Sequence, residues 1–208
     1  MSLRLLLLRH GETAWNRERR YQGWTDTPLS PEGLVQAEAA ARELKEHTFA
    51  AVYSSPLRRA LDTAVAIAAP HGLEVATDAA FKELGHGEWE GLTLDEARAR
   101  DGALHDGWAK TPHLVSPPGG ESLAKARERV LAGLDRLRAG HADDTVCLVT
   151  HGVTVRILIL EALGLPLERI WSLHSAPTGI SELEFRDDWT ALHRMNTLVH
   201  LDAVPADR

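Results

Sequence analysis

The chain has 208 residues, 44% of them hydrophobic and 25% charged, with a formal net charge of −7. That is room for one substantial globular domain and short for two. The acidic balance argues against nucleic acid as a partner, and no apolar run approaches the ~18 residues of a membrane span.

The opening leucines are too few for the roughly 7–15-residue core of a secretory leader. The lone cysteine, Cys147, lies in an apolar run and is expected to be a buried thiol in a cytoplasmic protein. Position 153 is valine, so Cys147 does not head a C-x5-R phosphate loop.

Leu3 to Leu8, interrupted only by Arg4, predicts a strand buried on both faces. It ends in Arg9-His10-Gly11, and ligands of open α/β sheets bind just beyond such carboxyl ends. A loop from Gly11 to Leu29 follows, then a helix opened by Ser30-Pro31 with Leu34, Ala37, Ala41 and Leu44 on its apolar side. Phe49 to Tyr53 predicts another strand. After it, Ser55 suits an N-cap and Pro56 the first helical position, which puts Arg58 and Arg59 in the first turn. Cations there oppose the helix dipole, and a bound anion would offset the cost.

A short strand is expected near Leu73 to Ala76. Residues 81–120 are irregular, with a short helix from Thr93, and read as an insertion capping the strand ends. Leu123, Ala126, Val130, Leu134 and Leu137 mark a long helix. Thr145 to Thr150 then repeats the first pattern, an apolar strand ending in His151-Gly152, followed by a helix through Val155, Ile159 and Leu163. Ile180 to Phe185 and Thr190 to Met195 predict a hairpin, and the tail from Asp202 is expected to be mobile. The alternation predicts one α/β domain over residues 1–208, a three-layer αβα sandwich on a mostly parallel sheet. Two His-Gly strand ends and an arginine-bearing strand–helix junction point to a shared anion site.

At LRHGETAWN (Leu8 to Asn16), SSPLRRALDTA (Ser54 to Ala64), KELGHGEWEG (Lys82 to Gly91), PGGES (Pro118 to Ser122) and VTHGVTVR (Val149 to Arg156), the chain resembles the histidine phosphatase superfamily, also called phosphoglycerate mutase-like. The blocks stand in the family's order and cover nearly the whole length. The resemblance implies that His10 is the nucleophile that becomes phosphohistidine. It implies that Arg9, Arg59 and His151 grip the phosphoryl group and that Glu83 is the acid. Asn16 and Gly23, with Gln22 and Gly152 beside them, become phosphate-binding candidates. Arg58 is then a surface arginine unless it helps hold a substrate carboxylate.

The expected activity is phosphomonoester hydrolysis on small phosphorylated metabolites, with no metal and no cofactor, because guanidinium groups supply the positive charge. H-E-x-x-H metal spacing is absent from the sequence. A phosphoglycerate mutase and a non-catalytic phosphate-binding module are the alternatives. Glu83 and His151 are 68 positions apart, and the mutases resembled carry a longer insertion there, which favours hydrolysis. His86, between two glycines, is expected on an exposed loop; Glu88 and Glu90 are expected to be solvated. His47, His71, His105, His113 and His141 lie in polar stretches and need no function. Trp24, Trp89 and Trp108 are expected in core, cap or rim packing. Self-association is left open.

Overall fold

The opening strand alternates its leucines between two separate cores. In the computed structural model, which describes residues 2–202, it runs as β1 (Ser2–Arg9). Leu3, Leu5 and Leu7 join one apolar cluster, and Leu6 and Leu8 join another on the opposite face. The elements that follow are α1 (Ala14–Arg17), α2 (Pro31–Leu44), β2 (Ala51–Ser54), α3 (Arg58–Ala68), β3 (Val75–Thr77), α4 (Leu94–Lys110), α5 (Leu123–Gly140), β4 (Asp144–Thr150), α6 (Gly152–Ala162), β5 (Ile180–Arg186) and β6 (Thr190–Thr197).

The sheet order is β3-β2-β4-β1-β5-β6. The first four strands are parallel, and β5 and β6 add an antiparallel edge. Helices α2 and α3 pack on the face of Leu6, Leu8, Cys147 and Val149. Helices α4, α5 and α6 contribute to the other core with Leu5, Leu7, Val146 and Leu148. This is the expected αβα sandwich. Burial lifts the Cys147 thiol to about 12, as fits a packed, unreactive side chain. Among the described residues, no helix is long and apolar enough to cross a membrane.

Several local expectations need correction. Helix α3 begins at Arg58 with Leu57 as its N-cap, so Ser55 and Pro56 lie outside it. Ser55 is instead drawn onto the sheet, its N–H donating to the Val149 carbonyl at 3.1 Å. Leu34 is 52% exposed, because α2 buries its small face, Ala37, Ala40, Ala41 and Leu44. The helix from Thr93 is long, not short: 17 residues, opened by a Thr93–Glu96 capping box and broken at Asp101. Leu163 is the exposed C-cap of α6, not its buried face. The expected mobile tail lies, beyond Asp202, outside the described residues.

Register positions the site. Arg9 pairs with Thr150 and Ser54 with Val149. The His10 N–H continues the β1–β4 ladder by donating to the Thr150 carbonyl at 2.9 Å. Hence His10, His151 and Ser55 leave the carboxyl ends of three adjacent parallel strands together, beside the strand where the sheet changes direction.

Candidate active site

A cavity of about 570 Å³ opens over these strand ends, walled by Arg9, His10, Asn16, Gln22, Gly23, Arg59, Glu83 and Gly152 among others. His151 is fully buried beside it, its ring centroid 5.2 Å from that of His10. All nine residues expected at the site are therefore gathered in one place.

His10 is held as a neutral imidazole. Its Nδ1 lies 2.7 Å from the Gly11 carbonyl oxygen. A carbonyl can only accept, so Nδ1 carries the proton and the lone pair resides on Nε2. Burial, then the charges of Arg59 and Arg9, push its pKa well below the ordinary value of 6.5. His151 is lowered for the same leading reason, burial, followed by Arg59, His10 and Arg9. Its Nε2 sits 2.7 Å from the Ser55 hydroxyl oxygen, which also accepts from the Leu57 N–H. With the Ser55 hydroxyl donating to Nε2, the His151 proton sits on Nδ1.

Among the described residues, the buried side-chain nitrogens without a protein partner include three beside His10: Arg9 Nε, Arg59 Nε and, in the tautomer that accepts from Ser55, His151 Nδ1. Unsatisfied buried N–H groups are rare and costly. Here these three cluster around one imidazole, as a site shaped for an oxyanion requires. Three of the four terminal guanidinium nitrogens are anchored. Arg9 Nη1 donates to the Ser175 carbonyl at 2.6 Å, and Arg59 Nη1 and Nη2 donate to the carbonyls of Thr25 and Gly23 at 2.9 and 2.7 Å. Burial lowers both arginines to about 10, which leaves them charged at neutral pH.

Asn16 and Gln22 are fixed by their oxygens. Asn16 Oδ1 accepts the Thr13 N–H at 3.0 Å, and Gln22 Oε1 accepts the Thr27 hydroxyl at 2.7 Å. Both amide NH2 groups are left as donors on the cavity wall. Gly23 has φ of +54°, and a Cβ there would fall 2.0 Å from Glu90 Oε1, so only glycine fits the turn that presents its carbonyl to Arg59. Gly152 borders both Arg9 and Glu83. Glu83 Oε1 accepts from the backbone N–H groups of Leu84 and Val153 at 3.0 and 3.1 Å. Its carbonyl receives Trp24 Nε1 at 2.7 Å and Arg129 Nη2 at 2.8 Å.

Two expectations are overturned. His86 is 7% exposed, wedged edge-on between Tyr21 and Trp108, and lines the cavity instead of riding an exposed loop. Glu90 is not a solvated charge: its two oxygens accept from the N–H groups of Trp24, Thr25 and His86 and from the Thr25 hydroxyl. It thereby fixes the loop whose carbonyls hold Arg59. His105 also lines the cavity, its Nε2 3.1 Å from the Tyr21 hydroxyl. Trp89 and Trp108 are buried, Trp24 is 46% exposed, and Glu88 pairs with Arg100 on the surface. Arg58 lies on the surface beside Asp62, as expected.

Sequence reasoning missed the roles of Ser55, Glu90 and Arg129. Arg129 of α5 donates to the carbonyls of Ala80, Lys82 and Glu83 and pairs with both oxygens of Glu121, clamping the segment that carries Glu83.

Acid sensitivity follows from these burials. His10, His86, His151 and His200 all have pKa values lowered by burial in the folded chain. The unfolded chain therefore binds protons that the native one refuses. Stability from this source is complete above about pH 6.5 and drains away below it. At pH 5.5 each deeply buried histidine removes at most roughly 1 kcal/mol. In phosphate-free buffer, calorimetry should show Tm falling by roughly 5–10 °C between pH 7.5 and 5.5. A flat Tm would refute the neutral assignments.

Comparisons with known proteins place the chain in a family. The profile of the histidine phosphatase superfamily (branch 1) matches residues 5–198. The chain is 35% identical over 199 residues to phosphoserine phosphatase 1 of Hydrogenobacter thermophilus, covering 96% of this chain and 94% of that one. It is 40% identical over 193 residues to a bifunctional protein of Mycobacterium tuberculosis, spanning only 53% of that protein's length. The solved structure of YhfR from Bacillus stearothermophilus superposes with a TM-score of 0.91 at 33% identity, covering 96% of this chain and 99% of that one. Matched over most of its length by the family profile and by these relatives, the chain belongs to the histidine phosphatase superfamily.

Proposed function

We propose that the protein is a phosphomonoesterase that moves a phosphoryl group from a small ester to His10 and then to water. The carrying observation is the trio of buried, partnerless donors, Arg9 Nε, Arg59 Nε and His151 Nδ1, around an imidazole whose Nδ1 is tied to Gly11. In the first step His10 Nε2 attacks phosphorus, the ester P–O bond breaks, and Glu83 gives its proton to the departing oxygen. In the second, water attacks phosphorus, Glu83 takes the water proton, and the P–N bond breaks to release inorganic phosphate. Charge spread over the equatorial oxygens meets fixed cations and dipoles, the arrangement that phosphoryl transfer rewards. Asn16, Gln22, Gly23 and Gly152 shape the same pocket.

Residues 1–208 act as one catalytic domain in this reading, with the 81–120 segment closing over the strand ends through His86, Leu94, His105 and Trp108. The substrate is a small phosphate ester, as the name of the phosphoserine phosphatase relative implies for that protein. The buried, unpaired Cys147 suits a reducing cytoplasm.

The test incubates the protein with 3-phosphoglycerate and follows both inorganic phosphate and 2-phosphoglycerate. Phosphate release is the expected result. Isomerisation without release would make the protein a mutase, and vanadate binding without turnover of any ester would make it a binding module.

A further inference from the structure

Three cations line the cavity outside the phosphoryl site: Arg20 is paired with Glu18 and Glu96, Arg19 is exposed, and Arg156 is partly buried. Arg156 lies on α6 and lines the cavity. Its Nε donates to the Leu173 carbonyl at 2.9 Å, and the Trp171 ring lies 5.2 Å from its guanidinium carbon. These contacts fix the plane of the group. Its two terminal nitrogens have no hydrogen-bond partner, and no carboxylate lies within 4.0 Å of it among the described residues. Burial lowers its pKa from the ordinary arginine value, and the Glu83 charge partly offsets this. Arg156 is thus a partly buried, pre-oriented fork with its terminal donors unspent.

Position defines what it meets. Gly152, against Arg9 and Glu83, is one helical turn earlier on α6, about 6 Å along the axis. Helical side chains lean back toward the N-terminus, which brings the guanidinium to the Glu83 side of the pocket. On the proposed mechanism, that side holds the leaving alcohol. We propose that Arg156 is a specificity-determining residue that binds a carboxylate on the leaving group, so that the preferred substrates are short phosphate monoesters of hydroxy acids. The planar fork matches a carboxylate in two parallel hydrogen bonds, and one guanidinium balances one carboxylate better than a second phosphate dianion. The indoles of Trp108 and Trp171 and the phenol ring of Tyr21 wall the same cavity, which strengthens such a pair by excluding water.

The inference rests on the phosphatase reading, and the experiment separates the two. Two substrate pairs differ only in the carboxylate: 3-phosphoglycerate against glycerol 3-phosphate, and O-phosphoserine against phosphoethanolamine. The wild type should favour the acid of at least one pair in kcat/KM. In Arg156→Gln that ratio should fall on the order of 10²-fold, mainly through KM, with partial recovery in Arg156→Lys. The same pairs are then titrated by calorimetry against His10→Ala protein with and without Arg156→Gln, a readout that needs no turnover. Loss of the acid's binding advantage in the double variant supports the inference even if the wild type releases no phosphate, an outcome that sinks only the phosphatase reading. An acid-to-neutral ratio unchanged by Arg156→Gln, or equal losses on both esters, overturns the carboxylate role.

Discussion

His10→Ala is expected to lower kcat on the order of 10⁶-fold, the scale on which removing an attacking side chain acts when the rest of the site stays in place. The fold should survive. His10 makes its one side-chain hydrogen bond to its own neighbour, Gly11, and the strand ladder beside it is carried by backbone groups. Phosphate binding should survive as well, because Arg9, Arg59 and His151 are anchored by Ser175, Thr25, Gly23 and Ser55 rather than by His10. Three measurements check this together: phosphate release, thermal melting, and vanadate affinity. Rapid quench of the wild type in base should trap a phosphoenzyme that acid destroys and that the variant lacks. Turnover within tenfold of wild type in His10→Ala would remove the phosphohistidine.

Much of this site was readable before any coordinates because its parts sit where local pattern is strongest. An unbroken apolar run has one natural reading, a strand covered on both faces, and β1 and β4 bear it out down to the residue that follows each. Their adjacency was a condition of the shared site, and the parallel register of β1 with β4 meets it. The supporting residues were hidden for the opposite reason. Ser55 obeys the local grammar of a helix cap, yet tertiary pairing of β2 with β4 pulls it to His151. Arg129 looks like one more charge on an amphipathic helix; its five acceptors come from residues 80 to 83 and 121, and only packing of α5 brings them together. His86 was misread because flanking glycines usually mean exposure, whereas here their missing side chains let backbone pack closely. A Cβ on Gly87 would lie 2.3 Å from the Pro118 carbonyl oxygen. Solvation is a property of the finished surface, and a one-dimensional pattern reports it weakly.

Glu83→Gln provides the second large effect, and it depends on the leaving group. The substitution is close to isosteric and keeps the shorter local bonds intact. The Leu84 and Val153 N–H groups reach Oε1 at 3.0 and 3.1 Å, where a glutamine carbonyl accepts them, and only the longer 3.3 Å contact of Val153 N–H to Oε2 is lost. The amide NH2 then occupies the place of Oε2, and the backbone clamp from Trp24 and Arg129 is untouched. On the proposed mechanism, what disappears is the transferable proton. An alkyl phosphate releases an alkoxide that must be protonated as it leaves, so kcat/KM should fall on the order of 10²–10⁴-fold. p-Nitrophenyl phosphate expels a stabilised phenolate and should lose less than about tenfold in the first step. The same glutamine cannot deprotonate water. Dephosphorylation of His10 should therefore become slow for every substrate, and a burst of p-nitrophenol equal to the enzyme concentration should precede the steady state. Equal losses on the alkyl and aryl esters, with no burst, would place Glu83 among the residues that merely hold the pocket open and leave the leaving oxygen to draw its proton from solvent.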